Sequence, residues 1–263
     1  MIPPDIFSRQ ARRRFRDRAV ASDYDSRWLS RLMATELADR VDMVKRHFDR
    51  VLIIGNSDED LRQRVASNRL FTIVADAGFR GAARADGVQC DEDRLPFADA
   101  SFDLVLAPGG LDIVNDLPGA LALIRRILMP DGLFLGAMAG AGGLETLRNI
   151  IVTTTDPERI VARHHPQIDV RAAGDLLTRA GFLMPVVESQ NVTARYPDLF
   201  KLISDLRANA MTNTLSERQP LRRDQVAKMA TQFSLVGDPK TAETFSLIFM
   251  TGWAPPHPVP IRL

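Results

Sequence analysis

Asp76 stands where an apolar run, Phe71 to Ala75, ends, about 20 residues beyond Gly55. Gly55 in turn breaks another apolar run, Val51 to Ile54. Strand, glycine turn, helix, strand, acid is the order in which a parallel α/β sheet holds a ribose. The turn lets backbone approach the ligand, and the carboxylate accepts from the sugar diol. Asp91 and Glu92 follow a shorter apolar run, Val88-Gln89-Cys90, and Pro108-Gly109-Gly110 ends the run Phe102 to Ala107. Both breaks fall at carboxyl ends of strands, where open α/β sheets bind their ligands. These residues describe a nucleoside site, not yet a reaction.

The turn after Gly55 narrows the ligand. It reads Asn56-Ser57-Asp58-Glu59, with no further glycine and two acids. Acids suit a helix N-terminus, where the dipole is positive, but they repel a pyrophosphate. NAD and ATP are therefore poor candidates. A nucleoside cofactor without phosphate, such as S-adenosylmethionine, remains open, and so does a site that has decayed. His164-His165 is an adjacent pair that diverges on a helix or a strand, so joint metal ligation is not expected. No two-histidine, one-carboxylate set can be assembled from local spacing.

The elements that must position these residues follow from periodicity. Trp28, Leu29, Leu32, Met33, Leu37, Val41 and Val44 recur at helical spacing and predict a helix packed on the sheet. Leu61 and Val65 share the face of a short helix after Gly55. Asn115-Asp116 caps a helix with Pro118 in its first turn and the stripe Leu117, Leu121, Ile124 and Leu128, stopped by Pro130-Asp131-Gly132. Leu133 to Met138 is a strand, followed by small residues through Gly143. Asp169 caps a helix ending at Gly181. A strand lies within Phe182 to Val192, and an amphipathic helix is predicted over Tyr196 to Ala210. A polar loop, a helix with Val226, Met229 and Phe233, and a last strand, Thr244 to Trp253, complete the pattern. Gly81 to Asp86 has no clear type. Residues 1–20 carry six arginines, Arg9, Arg12, Arg13, Arg14, Arg16 and Arg18. They suit an arm touching an acidic partner, a lid over the cofactor, or a solvated helix face.

The chain has 263 residues, a formal net charge of +1 and 45% hydrophobic residues. That supports a sizeable core and gives no bulk electrostatic case for nucleic acid. Cys90 is the only cysteine, so no intramolecular disulfide forms and a reducing compartment fits. No stretch is long and apolar enough to span a membrane, which leaves a peripheral membrane contact open. The basic start imitates a transit peptide, against which stand Asp5 and Asp17.

The segments IFSRQARRRFRDRA, LPFADASFDLVLAPGGLDIVNDLPGALALIRRILMPDGLFLGAM, DVRAAGDLLTRAGF, RYPDLFKLISDLRANAMTNTL and TFSLIFMTGW together cover nearly the whole chain. They resemble the family of the mitochondrial complex I assembly factor of the methyltransferase class and its bacterial relatives. They resemble more distantly the biotin-synthesis enzymes that methylate malonyl-carrier protein. The resemblance implies the class I methyltransferase fold: a Rossmann-like, mostly parallel seven-stranded sheet with helices on both faces and a helical insertion before the last strand. It divides the chain into a basic arm and helix over residues 1–46 and a methyltransferase-like domain over 47–263, with the insertion at about 196–235. It also implies S-adenosylmethionine, a role in assembling respiratory complex I, and arginine hydroxylation on an iron–sulfur subunit. Gly55 matches the first glycine of the family's cofactor turn, whereas Ile53, Ser57 and Glu59 replace its acid and later glycines. Asp76 matches the ribose acid, and Asp91 and Glu92 the acids near the adenine amino group. Gly55, Asn56, Asp76, Ala77, Asp91, Glu92 and Pro108 are therefore the candidate cofactor contacts. Asp112 and Ile113 stand where the family has His-Trp, and residues from Pro258 to Leu263 replace a longer tail. Asp112, Tyr196, Arg207 and Asn213 are the candidate substrate-side residues.

The expected protein is an S-adenosylmethionine-dependent methyltransferase-like protein acting on a protein substrate or assembly partner, in the cytoplasm or, in a eukaryote, the mitochondrial matrix. Methyl transfer asks the protein mainly to align the acceptor and exclude water, so no base need be visible. The alternative is an inactive scaffold on the same fold.

Overall fold

The computed structural model describes residues 5–55, 59–66, 71–154 and 163–256. Asn56, Ser57 and Asp58 of the cofactor turn and the tail from Pro258 lie outside them. The chain runs α1 (Arg9–Val20), α2 (Trp28–Met43), β1 (Arg50–Ile54), α3 (Glu59–Ala66), β2 (Phe71–Asp76), α4 (Phe79–Arg84), β3 (Val88–Gln89), β4 (Phe102–Pro108), α5 (Leu117–Ile127) and β5 (Leu128–Ala139). It continues α6 (Glu145–Thr154), α7 (Val170–Arg179), β6 (Leu183–Tyr196), α8 (Leu199–Ala208), α9 (Arg223–Val236) and β7 (Thr241–Trp253).

The strands form one seven-stranded sheet in the order β3-β2-β1-β4-β5-β7-β6. β1 to β5 are parallel, and β7 pairs antiparallel with both β5 and β6. Val51 to Ile54 and Leu104 to Ala107 are fully apolar because β1 and β4 lie at the centre, covered on both faces. Along each strand the side chains alternate between two cores. Val51, Ile53, Leu104, Leu106, Leu133 and Leu135 face α2 and the C-terminal helices. Leu52, Ile54, Val105, Ala107 and Phe134 face α5 and α7. A fully buried Leu or Ile contributes about 1.5–3 kcal/mol, so the two apolar faces hold the sheet rigid at the point that matters for ligands. That point lies between β1 and β4. From β1 the chain winds one way through β2 to β3, then returns to place β4 on the other side of β1. The strand ends diverge there and leave a crevice.

Four local expectations change. α5 ends at Ile127, and Pro130-Asp131-Gly132 lies within β5, whose pairing with β4 shifts register between Phe102 and Leu104. Tyr196 closes β6, opposite Thr241, and α8 begins at Leu199 behind the Asp198 cap. The strand is kept to that point by its antiparallel partner. The segment of unclear type at Gly81–Asp86 largely forms α4. α6 was not expected at all. Its sequence, ETLRNIIVTT, is rich in β-branched residues that disfavour helix. Its first amides are capped from elsewhere: the buried Glu243 carboxylate on β7 accepts from Thr146 N–H at 3.3 Å and Leu147 N–H at 2.8 Å.

Candidate functional site

The crevice is built from strand ends. Gly55 ends β1 with φ +66°, a left-handed conformation that a side chain would strain, and its N–H bonds Ala75 O at 2.6 Å. Asp76 ends β2, is 1% exposed, and accepts from Gly78 N–H at 2.7 Å. Ala77 beside it is buried. Asp91 and Glu92, after β3, are buried as well. Pro108 ends β4, and Gly110 follows with φ +93°. Asp112 lies just beyond, in the turn before α5; burial pushes its carboxyl up.

α1 lies across this crevice, and its arginines engage the acids. Arg16 clasps Asp76 with Nε–Oδ1 at 2.7 Å and Nη2–Oδ2 at 2.8 Å. Arg13 donates to Asp91 Oδ2 at 2.6 Å, and Arg9 donates twice to Asp93 at 2.7 Å. Arg12, 2% exposed, pairs with Glu92. Burial alone would pull the Arg16 guanidinium down; the charge and hydrogen bonds of Asp76, with help from Glu92 and Asp112, more than offset it and hold it above the usual arginine value. The helix reaches this position by local means. Ser8 caps it by accepting from Ala11 N–H at 3.2 Å. Phe7 is fixed to the Asn115 side chain by two hydrogen bonds, 2.8 and 3.0 Å, and packs with Ile113 and Leu215. Arg9, Arg12, Arg13 and Arg16 fall at i, i+3, i+4 and i+7, one face of a helix. That spacing was the available signal; from sequence these arginines were offered as an arm or a lid over the cofactor, without naming the acids they meet.

The donor set suits an adenosyl group: a carboxylate for a diol, acids for an amino group, and glycine backbone for close approach. The space does not suit it while α1 is docked. Arg16 Nη2 is 3.2 Å from where a Cβ on Gly55 would stand, and Nη1 is 3.2 Å from the same point on Gly110. The guanidinium thus fills the gap between the β1 and β4 turns, leaving a space of about 60 Å³. An adenosyl cofactor fits these residues only after Arg16 releases Asp76.

Asp112 and Ala139 line this small space and also a second, larger cavity of about 590 Å³. Arg207 and Asn213 lie on the walls of the larger cavity, together with Arg148 and His165. Tyr196 does not. It is buried behind α8, near Trp28 and Asp205, because the β6 pleat turns it inward. His165 Nε2 accepts from Thr214 N–H at 2.9 Å, and burial pushes the ring down to about 4. Among the described residues no three His, Cys, Asp or Glu side chains come together as metal ligands.

The family described as "Methyltransferase domain" matches residues 55–136, from the β1 turn into β5. Over 269 residues the chain is 33% identical to the protein named "Arginine-hydroxylase NDUFAF5, mitochondrial" of Danio rerio, covering 95% of this chain and 83% of that one. It is 27% identical to a malonyl-[acyl-carrier protein] O-methyltransferase of Methylovorus, covering 92% and 88%. The fold is that of the YcgJ protein of Bacillus subtilis, with TM-score 0.59 at 15% identity over 86% of this chain and 99% of that one.

Proposed function

The chain belongs to the family of the arginine hydroxylase NDUFAF5, and from that premise we propose that it binds S-adenosylmethionine and acts on a protein substrate in the assembly of respiratory complex I. The observation that carries this reading is the pairing of a nucleoside-type crevice with a larger cavity that meets it at Asp112 and Ala139. Asp76 would hold the ribose, Asp91 and Glu92 the adenine amino group, and the backbone at Gly55, Ala77 and Pro108 would line the bound cofactor, with Asn56 in the same turn. When bound, the cofactor supplies an electrophilic methyl group on sulfur. The chain's own part is to position the acceptor beside Asp112, Arg207 and Asn213 and to exclude water. α1 has a part in the same step: its arginines neutralise the acids until the crevice is filled. On this reading α1, within the arm and helix of residues 1–46, acts as a cover on the domain formed by residues 47–263. The location is the cytoplasm or the mitochondrial matrix, according to the source.

Calorimetric titration with S-adenosylmethionine and S-adenosylhomocysteine tests the reading. Saturable one-to-one binding is expected, weakened or abolished by Asp91→Asn combined with Glu92→Gln. No binding to the chain, with the fold intact by circular dichroism, would overturn it and leave a scaffold on a methyltransferase fold.

A further inference from the structure

The larger cavity carries an unusual charge. Four arginines, Arg18, Arg148, Arg163 and Arg207, lie on its walls, and Asp112 is the one acid among the described lining residues. Elsewhere arginines are commonly matched with carboxylates, as in the α1 pairs and in Arg40–Glu188 and Arg64–Asp42. Among the described residues none of these four forms an ion pair. Their bonds go to neutral groups: Arg18 to Thr212 Oγ1 at 3.1 Å, Arg148 to Gln167 Oε1 at 3.4 Å, and Arg163 to the Gln219 carbonyl at 3.1 Å. The crowding registers on Arg18, whose guanidinium is pulled down by burial and then by Arg207 and Arg14. His164 and His165 add no positive charge near neutrality, since burial pushes both rings down.

The cavity also has an apolar side, beside the polar Gln167, Thr212 and Asn213. Leu147, Ile151, Ile203 and Met229 line it, with Met229 fully buried and Arg18 and Arg207 exposed. A volume of about 590 Å³ is within the range of small-molecule sites.

We propose that this cavity binds a small amphipathic anion, an alkyl chain seated against Leu147, Ile151, Ile203 and Met229 with its anionic head held by the arginines. The anion supplies the counter-charge that the described residues do not give the four arginines, through charge-assisted hydrogen bonds. The same arginines repel a guanidinium or ammonium head. The site goes beyond the reading above: it meets the crevice at Asp112, but its test needs no adenosyl cofactor and so fails or succeeds separately.

The test is calorimetry of the full chain with decanoate, decanol and decylammonium. Decanoate is expected to bind saturably, one to one, with decylammonium at least tenfold weaker. Arg148→Ala and Arg207→Ala, which break no ion pair described here, should each weaken decanoate at least fivefold and leave decanol unchanged. Ile203→Trp should fill the cavity and abolish decanoate binding; if that variant does not fold, the arginine variants decide alone. Equal affinity for decanoate and decylammonium, indifference of decanoate to both arginine substitutions, or no saturable binding at millimolar decanoate would each overturn the proposal.

Discussion

Asp76→Ala tests the structure most sharply, because Asp76 holds α1 as well as any ribose. Asp76 is 1% exposed and Arg16 8%, and two short bonds join them. Removing the carboxylate strands a buried guanidinium and also frees Gly78 N–H, which Asp76 accepts at 2.7 Å. Breaking a buried ion pair from one side costs about 3–5 kcal/mol, and Glu92 and Asp112 remain near Arg16 to soften it. We expect Asp76→Ala to lose about 4 kcal/mol of folding stability. Removing both charges should cost far less, since an apolar pair of similar volume is often neutral in such a site. Arg16→Met with Asp76→Leu is expected within about 1–2 kcal/mol of the parent, well below the sum of the two one-sided losses. The assay is urea unfolding followed by circular dichroism at pH 7, with parallel slopes checked before stabilities are compared. A loss under about 1 kcal/mol for Asp76→Ala, or single-variant losses that simply add, would refute the docking of α1 on Asp76. The same arithmetic bears on function. A lost cofactor affinity in Asp76→Ala does not by itself report a ribose contact. Arg16→Met, which leaves Asp76 in place, is the cleaner variant, and it should bind S-adenosylhomocysteine more tightly than the parent.

His165 links stability to pH. Its ring is held neutral by burial, down to about 4 against 6.5 for a free ring, so its contribution is present above pH 6.5 and is lost as pH falls toward 4. At about 1.4 kcal/mol per pH decade the loss reaches about 3 kcal/mol. His165→Gln, which keeps an acceptor for Thr214 N–H, should flatten that part of the stability–pH curve. An unchanged curve would show that His165 does not titrate there. Glu243→Ala should uncap α6, leaving Thr146 and Leu147 N–H without their buried acceptor at a cost of about 1–3 kcal/mol. Hydrogen exchange should quicken over Glu145–Ile150 while β7 stays protected; uniform protection throughout α6 would count against the cap.

Much of this architecture was written locally. The unbroken apolar runs of β1 and β4 mark strands covered on both faces. The Asp116 and Asp169 caps and the stripe of α2 place their helices, and Asp76 marks the end of β2, because each signal lies within one turn or one pleat of the residue it specifies. The remainder depends on distant partners. α6 forms from unfavourable residues because Glu243, far along the chain on β7, supplies its cap. Tyr196 is a strand residue because Thr241 pairs with it. The arginine stripe of α1 is legible as a helix face, but nothing in its spacing says that Arg16 meets Asp76 or Arg13 meets Asp91. Those partners lie 60 and 78 residues away. The sequence alone therefore determined the sheet, its cofactor-type strand ends and its family. Only the tertiary structure decided that the acids of the crevice are already engaged and that four arginines converge beside it with no ion pair among the described residues, because charge pairing is a property of side chains brought together by the fold, whatever their separation along the chain.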